Sequence, residues 1–279
     1  MDEELKQYAV INAADSPPFF QHLADALVEA HGMHRLDALQ KARGRHYIFD
    51  TALREDQANA LRDFLGRQGV DGLVVPMEHL TELGPAVGLT HADCLADGFL
   101  IHPLRAKPFP VLWENLAVLA HGTVINVTQH RPKQFYYPGA ETGTDLGSEV
   151  WNEIFIGPGD FLSSSDVMKP DMQPREDTER LQCLDIFAGN LADAEFAAHF
   201  RVVANRFSYD YLGPRKQPTS HGNFGLFVRD ILAHAPNVML TERTRRFLAG
   251  DVGMQPFGSF ASFDEYNNWA VAMERARKG

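Results

Sequence analysis

Cysteine is nearly absent from this chain: Cys94 and Cys183 are the two in 279 residues, far apart and in apolar surroundings. Disulfide frameworks and thiolate metal sites both need closely spaced, repeated cysteines, so the expectation is a pair of buried free thiols. Long apolar runs are missing too. No window approaches the ~18 uninterrupted apolar residues of a spanning helix, and the opening MDEELKQYAV is acidic, without the apolar core of a secretory leader. A cytoplasmic protein with no membrane span is expected. Basic residues are scarce, with a formal net charge of −11. A phosphate-binding surface needs a basic stripe, so nucleic acid is not an expected partner.

Catalytic signatures are also lacking. Ser163-Ser164-Ser165 has none of the glycines that permit a nucleophile elbow. Gly157-Pro158-Gly159 is followed by Asp160 rather than by the lysine and helix of a nucleotide loop. His31 and His34, with Asp37 three residues on, form the closest histidine group, but Gly32 interrupts the helix that would align them. Asp210, Ser220 and His221 could meet as a triad, yet a capping role already explains Ser220. Arg243, Arg245 and Arg246 lie near acids in a short helix, as a salt-bridged surface does. No catalytic residue, cofactor or metal is therefore expected from motifs.

What is present is an ordinary globular composition, 44% hydrophobic and 23% charged, in a chain long enough for two domains. Residues 7–12 alternate as a buried strand does. Asp15 and Ser16 are N-cap candidates for a helix carrying Phe20, Leu23, Ala24, Leu27 and Val28, with Gly32 as its stop. A shorter helix over 34–43 and the strand RHYIFD follow. REDQANALRDFLGRQGVDGLVVP then spells an amphipathic helix with Ala58, Leu61, Phe64 and Leu65 inward, a glycine stop, and a buried strand. The order over 1–82 is β-α-α-β-α-β, one sheet covered by helices.

That order, with Asp56 to Leu65, Gly69-Val70 and an apolar strand, plus Leu36 and Ala42 in the short helix, resembles the C-terminal domain of the bacterial ribosomal stalk protein and the related fold of the Clp protease adaptor. The matched positions are fold-determining, so the resemblance implies shape. The turn with which the stalk domain meets its factors is here His31-Gly32-Met33-His34-Arg35, a different sequence.

From 83 onwards short strand candidates take over: Val87 to His91, Gly98 to His102, Val111 to Ala120 and Thr123 to Thr128, with His121-Gly122 as the turn of a hairpin. Residues 129–179 are rich in Pro, Gly and Ser. Between Glu141 and Asp185 eleven acids face three bases, so most of the negative excess sits there. Leu181 to Ala188 and Phe200 to Tyr211 restore order. Three helices close the chain: one capped by Ser220, one over Glu242 to Leu248, and one opened by Ser262-Phe263-Asp264-Glu265 with Tyr266, Trp269, Ala270 and Met273 on one face. The plan of 83–279 resembles, in topology alone, a pleckstrin-homology-like domain. The whole layout is similar to bacterial proteins that couple such a domain to a stalk-like one, a likeness that brings no activity with it.

The fold expected is therefore α+β: residues 1–82 as the stalk-like domain, then a mainly antiparallel β domain over 83–279 with an acidic insertion at about 129–179 and C-terminal helices. The function expected is non-catalytic protein contact, as an adaptor or assembly component with a protein partner or as a homo-oligomer. Its candidate anchors are Trp151, Phe155 and Phe161, aromatics flanked by acids. Two alternatives stand beside it. One is a hydrolase-like enzyme with a site of dispersed histidines, His102, His121 and His221 first. The other is a lipid- or ligand-binding domain, for which Arg105, Lys107, Arg201 and Arg206 are the scattered basic residues.

Overall fold

The computed structural model describes residues 6–80, 84–103, 107–130, 175–189, 198–251 and 253–278. Residues 1–126 and 180–279 form one compact unit and 127–179 a second. Among the described residues, the α-helices and the buried apolar clusters belong to the first unit.

Strand alternation sets up the N-terminal layers. In β1 (Tyr8–Asn12), Val10 points one way and Ala9 and Ile11 the other. β1 is the middle strand of a sheet ordered β2-β1-β3, antiparallel to both β2 (Ile48–Leu53) and β3 (Gly72–Pro76). Val10 and Phe49 pack under α1 (Phe20–His31), α2 (Arg35–Arg43) and α3 (Glu55–Arg67), against Leu23, Leu27, Ala38, Leu61 and Leu65. The β-α-α-β-α-β order is as the sequence spells it.

A second, seven-stranded sheet runs β10-β7-β8-β9-β4-β5-β6. Its strands are β4 (Val87–Cys94), β5 (Gly98–Pro103), β6 (Phe109–Leu112), β7 (Leu116–His130), β8 (Arg175–Ala188), β9 (Ala198–Val203) and the two-residue β10 (Met239–Leu240). β4–β5, β5–β6 and β8–β9 are antiparallel, whereas β4–β9 and β7–β10 are parallel. One face packs on α4 (Ser220–His234) through Phe224, Phe227, Val228 and Ile231. α5 (Glu242–Leu248) follows, with Phe247 inward.

The last helix, α6 (Phe260–Lys278), lies between the two sheets. Tyr266, Trp269 and Ala270 share one core with Ala9, Ile11, Tyr47 and Val75 of the first sheet and with Val118, Val124 and Cys183 of the second. Phe263, Asn267, Val271 and Ala272 are buried as well, so the single apolar face expected of this helix is widened to most of its circumference. A helix covered on several sides needs partners for its polar groups. Trp269 Nε1 donates to Asn12 O at 2.6 Å, Asn267 Nδ2 to Asp185 at 2.6 Å, and Tyr266 Oη to Asp15 at 2.8 Å.

Three local expectations are corrected. His121-Gly122 is not a turn: β7 runs through it, because Gly122 lets α6 approach the strand. A β-carbon there would stand 2.6 Å from the ring of Phe263 and 2.8 Å from that of Phe257. Asp15 does not cap α1, whose N-cap is Phe19; its carboxylate instead accepts from the amide of Glu242 at 2.7 Å, at the start of α5. α4 is capped by Thr219, whose hydroxyl accepts from Gly222, rather than by Ser220.

Candidate active site

Because β7 is continuous, His121 falls in its middle with the ring turned into the protein, only 2% exposed. Its backbone amide donates to Thr244 Oγ1 at 2.9 Å, which ties β7 to α5. The imidazole stacks on Phe247 with centroids 4.2 Å apart, and Phe224 stands 5.9 Å away. Among the described residues neither ring nitrogen has a hydrogen-bond partner. Burial pushes the pKa of His121 down to about 3, with Arg243 and His221 adding to the effect, so the ring is a neutral imidazole at physiological pH.

His121 lines a recess of about 70 Å³ together with Thr123, Gln182, His221, Phe247, Gly250, Asp251 and Met254. His221, in the first turn of α4, sets its ring edge-on to Phe247 and its Nδ1 at 2.9 Å from Gln182 Oε1. A carbonyl oxygen can only accept, so Nδ1 carries a hydrogen, and in the neutral form of the ring the lone pair is on Nε2. A groove of about 430 Å³ shares Thr123, Gln182, His221 and Met254 with the recess and adds Arg180, Asn205 and Ser220 to its lining. The groove thus combines one guanidinium with the N-terminal turn of a 15-residue helix, both favourable to an anionic group.

Of the three histidines singled out from sequence, the structure brings His121 and His221 together and leaves His102 on β5, where its Nε2 meets Asp93 at 3.0 Å. Asp210 is 82% exposed and bonded to Lys216 and Ser208, so no triad with Ser220 and His221 forms. His31 turns to Asp50, at 3.4 Å, while His34 Nδ1 accepts from Leu36 at the start of α2; Gly32, at φ +63°, separates the two rings. Arg245 pairs with Glu242 and Arg246 with Asp251, whereas Arg243 lies over Phe257 at 4.3 Å. Arg201, offered for a headgroup, is turned inward to Asp185 and Asp264. Trp151, Phe155 and Phe161 lie outside the described residues, as do Ser163 to Ser165, Gly157 to Asp160 and Arg105. Both thiols are free, and burial pushes Cys94 up to about 11 and Cys183 up to about 12. Among the described residues no helix is long and apolar enough to cross a membrane.

Gln182 and Thr123 were missed by the sequence reading. The only local signal was a lone His-Gly inside an apolar run, which also spells a turn. No family model matches the chain, and no similar protein is found among curated sequences or among solved structures.

Proposed function

We propose that the chain is an acid–base enzyme, hydrolase-like, acting on a small polar substrate with an anionic group in the His121–His221 recess. The observation that carries this reading is His121: a buried imidazole whose two nitrogens have no partner among the described residues, in the wall of a recess that a second histidine also lines. An unsatisfied buried polar ring costs stability, and such costs are tolerated where function needs the group. In this reading His221 Nε2 takes a proton from water or substrate, with Gln182 orienting the ring. His121, neutral, offers its N–H to the oxygen on which charge develops. Arg180 and the first turn of α4 hold the anionic part.

Turnover of a panel of p-nitrophenyl carboxylate and phosphate esters tests it. His221→Ala is expected to lower kcat by about 100-fold or more, with circular dichroism unchanged because His221 is on the surface. A wild-type protein that hydrolyses none of the esters, or a His221→Ala variant as active as wild type, would overturn the reading.

A stability measurement tests the same site without a substrate. His121→Phe keeps an aromatic ring against Phe247 and removes two unpartnered polar atoms, so it is expected to raise unfolding stability by about 1–3 kcal/mol while removing activity. The gap should depend on pH. A histidine whose folded pKa is depressed takes up a proton on unfolding, so wild type loses this contribution as pH falls through about 6.5 towards 3. The advantage of His121→Phe should therefore grow between pH 7 and pH 4 in urea titrations. A variant less stable than wild type at both pH values would show that the ring nitrogens are satisfied.

A further inference from the structure

A second cluster of imidazoles stands apart from the recess, on the β4–β5 pair. His91 and His102 are directly opposite in the register, and Asp93 follows His91 by two residues on the same side of β4. A bulge between Leu89 and His91 makes this arrangement. It shifts the alternation so that Leu89 and Ala92 both enter the core, leaving His91 and Asp93 on the other side. Phe99 and Ile101 go inward on β5, and His102 joins the outward set. The chain after β9 braces this corner: Ser208 forms a bridge with His91, and its amide donates to Thr90 O at 2.7 Å.

We propose that His91, Asp93 and His102 bind one divalent transition-metal ion. One ligand atom from each can be chosen so that all three lie within 4.8 Å of one another. Tetrahedral coordination at 2.0–2.1 Å sets ligand atoms about 3.3 Å apart, and His102 Nε2 is already 3.0 Å from Asp93 Oδ2. The two rings are stacked, with centroids 3.6 Å apart and planes at 21°. A metal must lie in the plane of each ring, so one imidazole turns about its side-chain bonds on loading, which its half-exposed position permits. Two imidazoles and one carboxylate suit zinc, cobalt, nickel or iron(II), not magnesium or calcium, which take oxygen sets. Three protein ligands leave a fourth position for water.

The test uses the full chain without a polyhistidine tag, stripped with chelator and titrated with Zn²⁺ by calorimetry and with Co²⁺ by visible absorption. Wild type is expected to bind one equivalent, with Co²⁺ d–d bands of nitrogen–oxygen coordination. His91→Ala and His102→Ala should weaken binding by at least about 100-fold, more than loss of an outer-shell partner does. Asp93→Asn, near-isosteric and half-exposed, guards against loss of fold and should weaken binding in the same direction. His34→Ala, remote from the cluster in the sequence and exposed, should leave binding unchanged. Equal affinity in wild type and in all three cluster variants, or a tight site lost in His34→Ala, would overturn the proposal.

Discussion

Asp185→Ala is expected to destabilise the protein by about 3–5 kcal/mol, the penalty for leaving a buried counter-charge without its partner, and to lower Tm by roughly 10 °C. Asp185 on β8 is fully buried and accepts from four groups: His199 Nε2 at 2.7 Å, Arg201 Nε at 2.7 Å, Arg201 Nη2, and Asn267 Nδ2 at 2.6 Å. His199 and Arg201 come from neighbouring β9, where the register sets Asp185 opposite Arg201, and Asn267 comes from α6. Burial opposes the charge on Arg201, but hydrogen bonds and charge from Asp185, then Asp264, outweigh it and push its pKa up. Removing the carboxylate leaves a guanidinium beside Phe260 and Phe263 with the half-exposed Asp264 as its remaining anion. Urea midpoints read the effect. The double variant Asp185→Met with Arg201→Met should recover part of the loss, since two charges leave together. An Asp185→Ala protein within about 0.5 kcal/mol of wild type would show that the network is solvated.

The second large effect is expected from a fragment. Residues 1–82 expressed alone retain the core under α1, α2 and α3 but uncover Ala9, Ile11, Tyr47 and Val75, which α6 covers in the whole chain. Tyr47 meets Tyr266 at 4.9 Å and Trp269 at 5.2 Å between ring centroids. Each large apolar side chain returned to water forfeits about 1.5–3 kcal/mol, a large share of the total for a domain this small. The fragment should therefore self-associate or unfold without cooperativity, and bind a hydrophobic dye. Trp269→Ala in the full chain applies the same loss locally and should cost about 3–5 kcal/mol, because it also deprives Asn12 O of its indole donor. A fragment that melts cooperatively as a monomer would establish 1–82 as autonomous.

The sites were less legible than the fold. His121, His221 and His102 stood out as residue types, but grouping them needed distances that periodicity does not carry. His121 lies on β7 and His221 on α4, a hundred residues apart, and they meet because both sheet and helix pack on Phe247. His91 and Asp93 went unnoticed because the strand was expected to end at His91. The bulge that turns them outward is a register property of the β4–β5 pair, invisible in β4 alone. The His-Gly in β7 misled for a related reason: a glycine that admits a helix from across the core looks, in one dimension, like a glycine that permits a turn.

By itself the sequence determined the α+β class, the β-α-α-β-α-β order of the first eighty residues, most strand and helix positions, and the negative balance. All of these arise from local periodicity, glycine stops and charge, which act over a few residues. The tertiary structure alone decided that α6 is shared by two sheets, that Asp15 caps a helix more than two hundred residues away, and that two histidine pairs form from four separate positions. Those outcomes depend on which apolar faces find each other, and that choice is made by packing and polar satisfaction across the whole chain rather than by any one stretch of it.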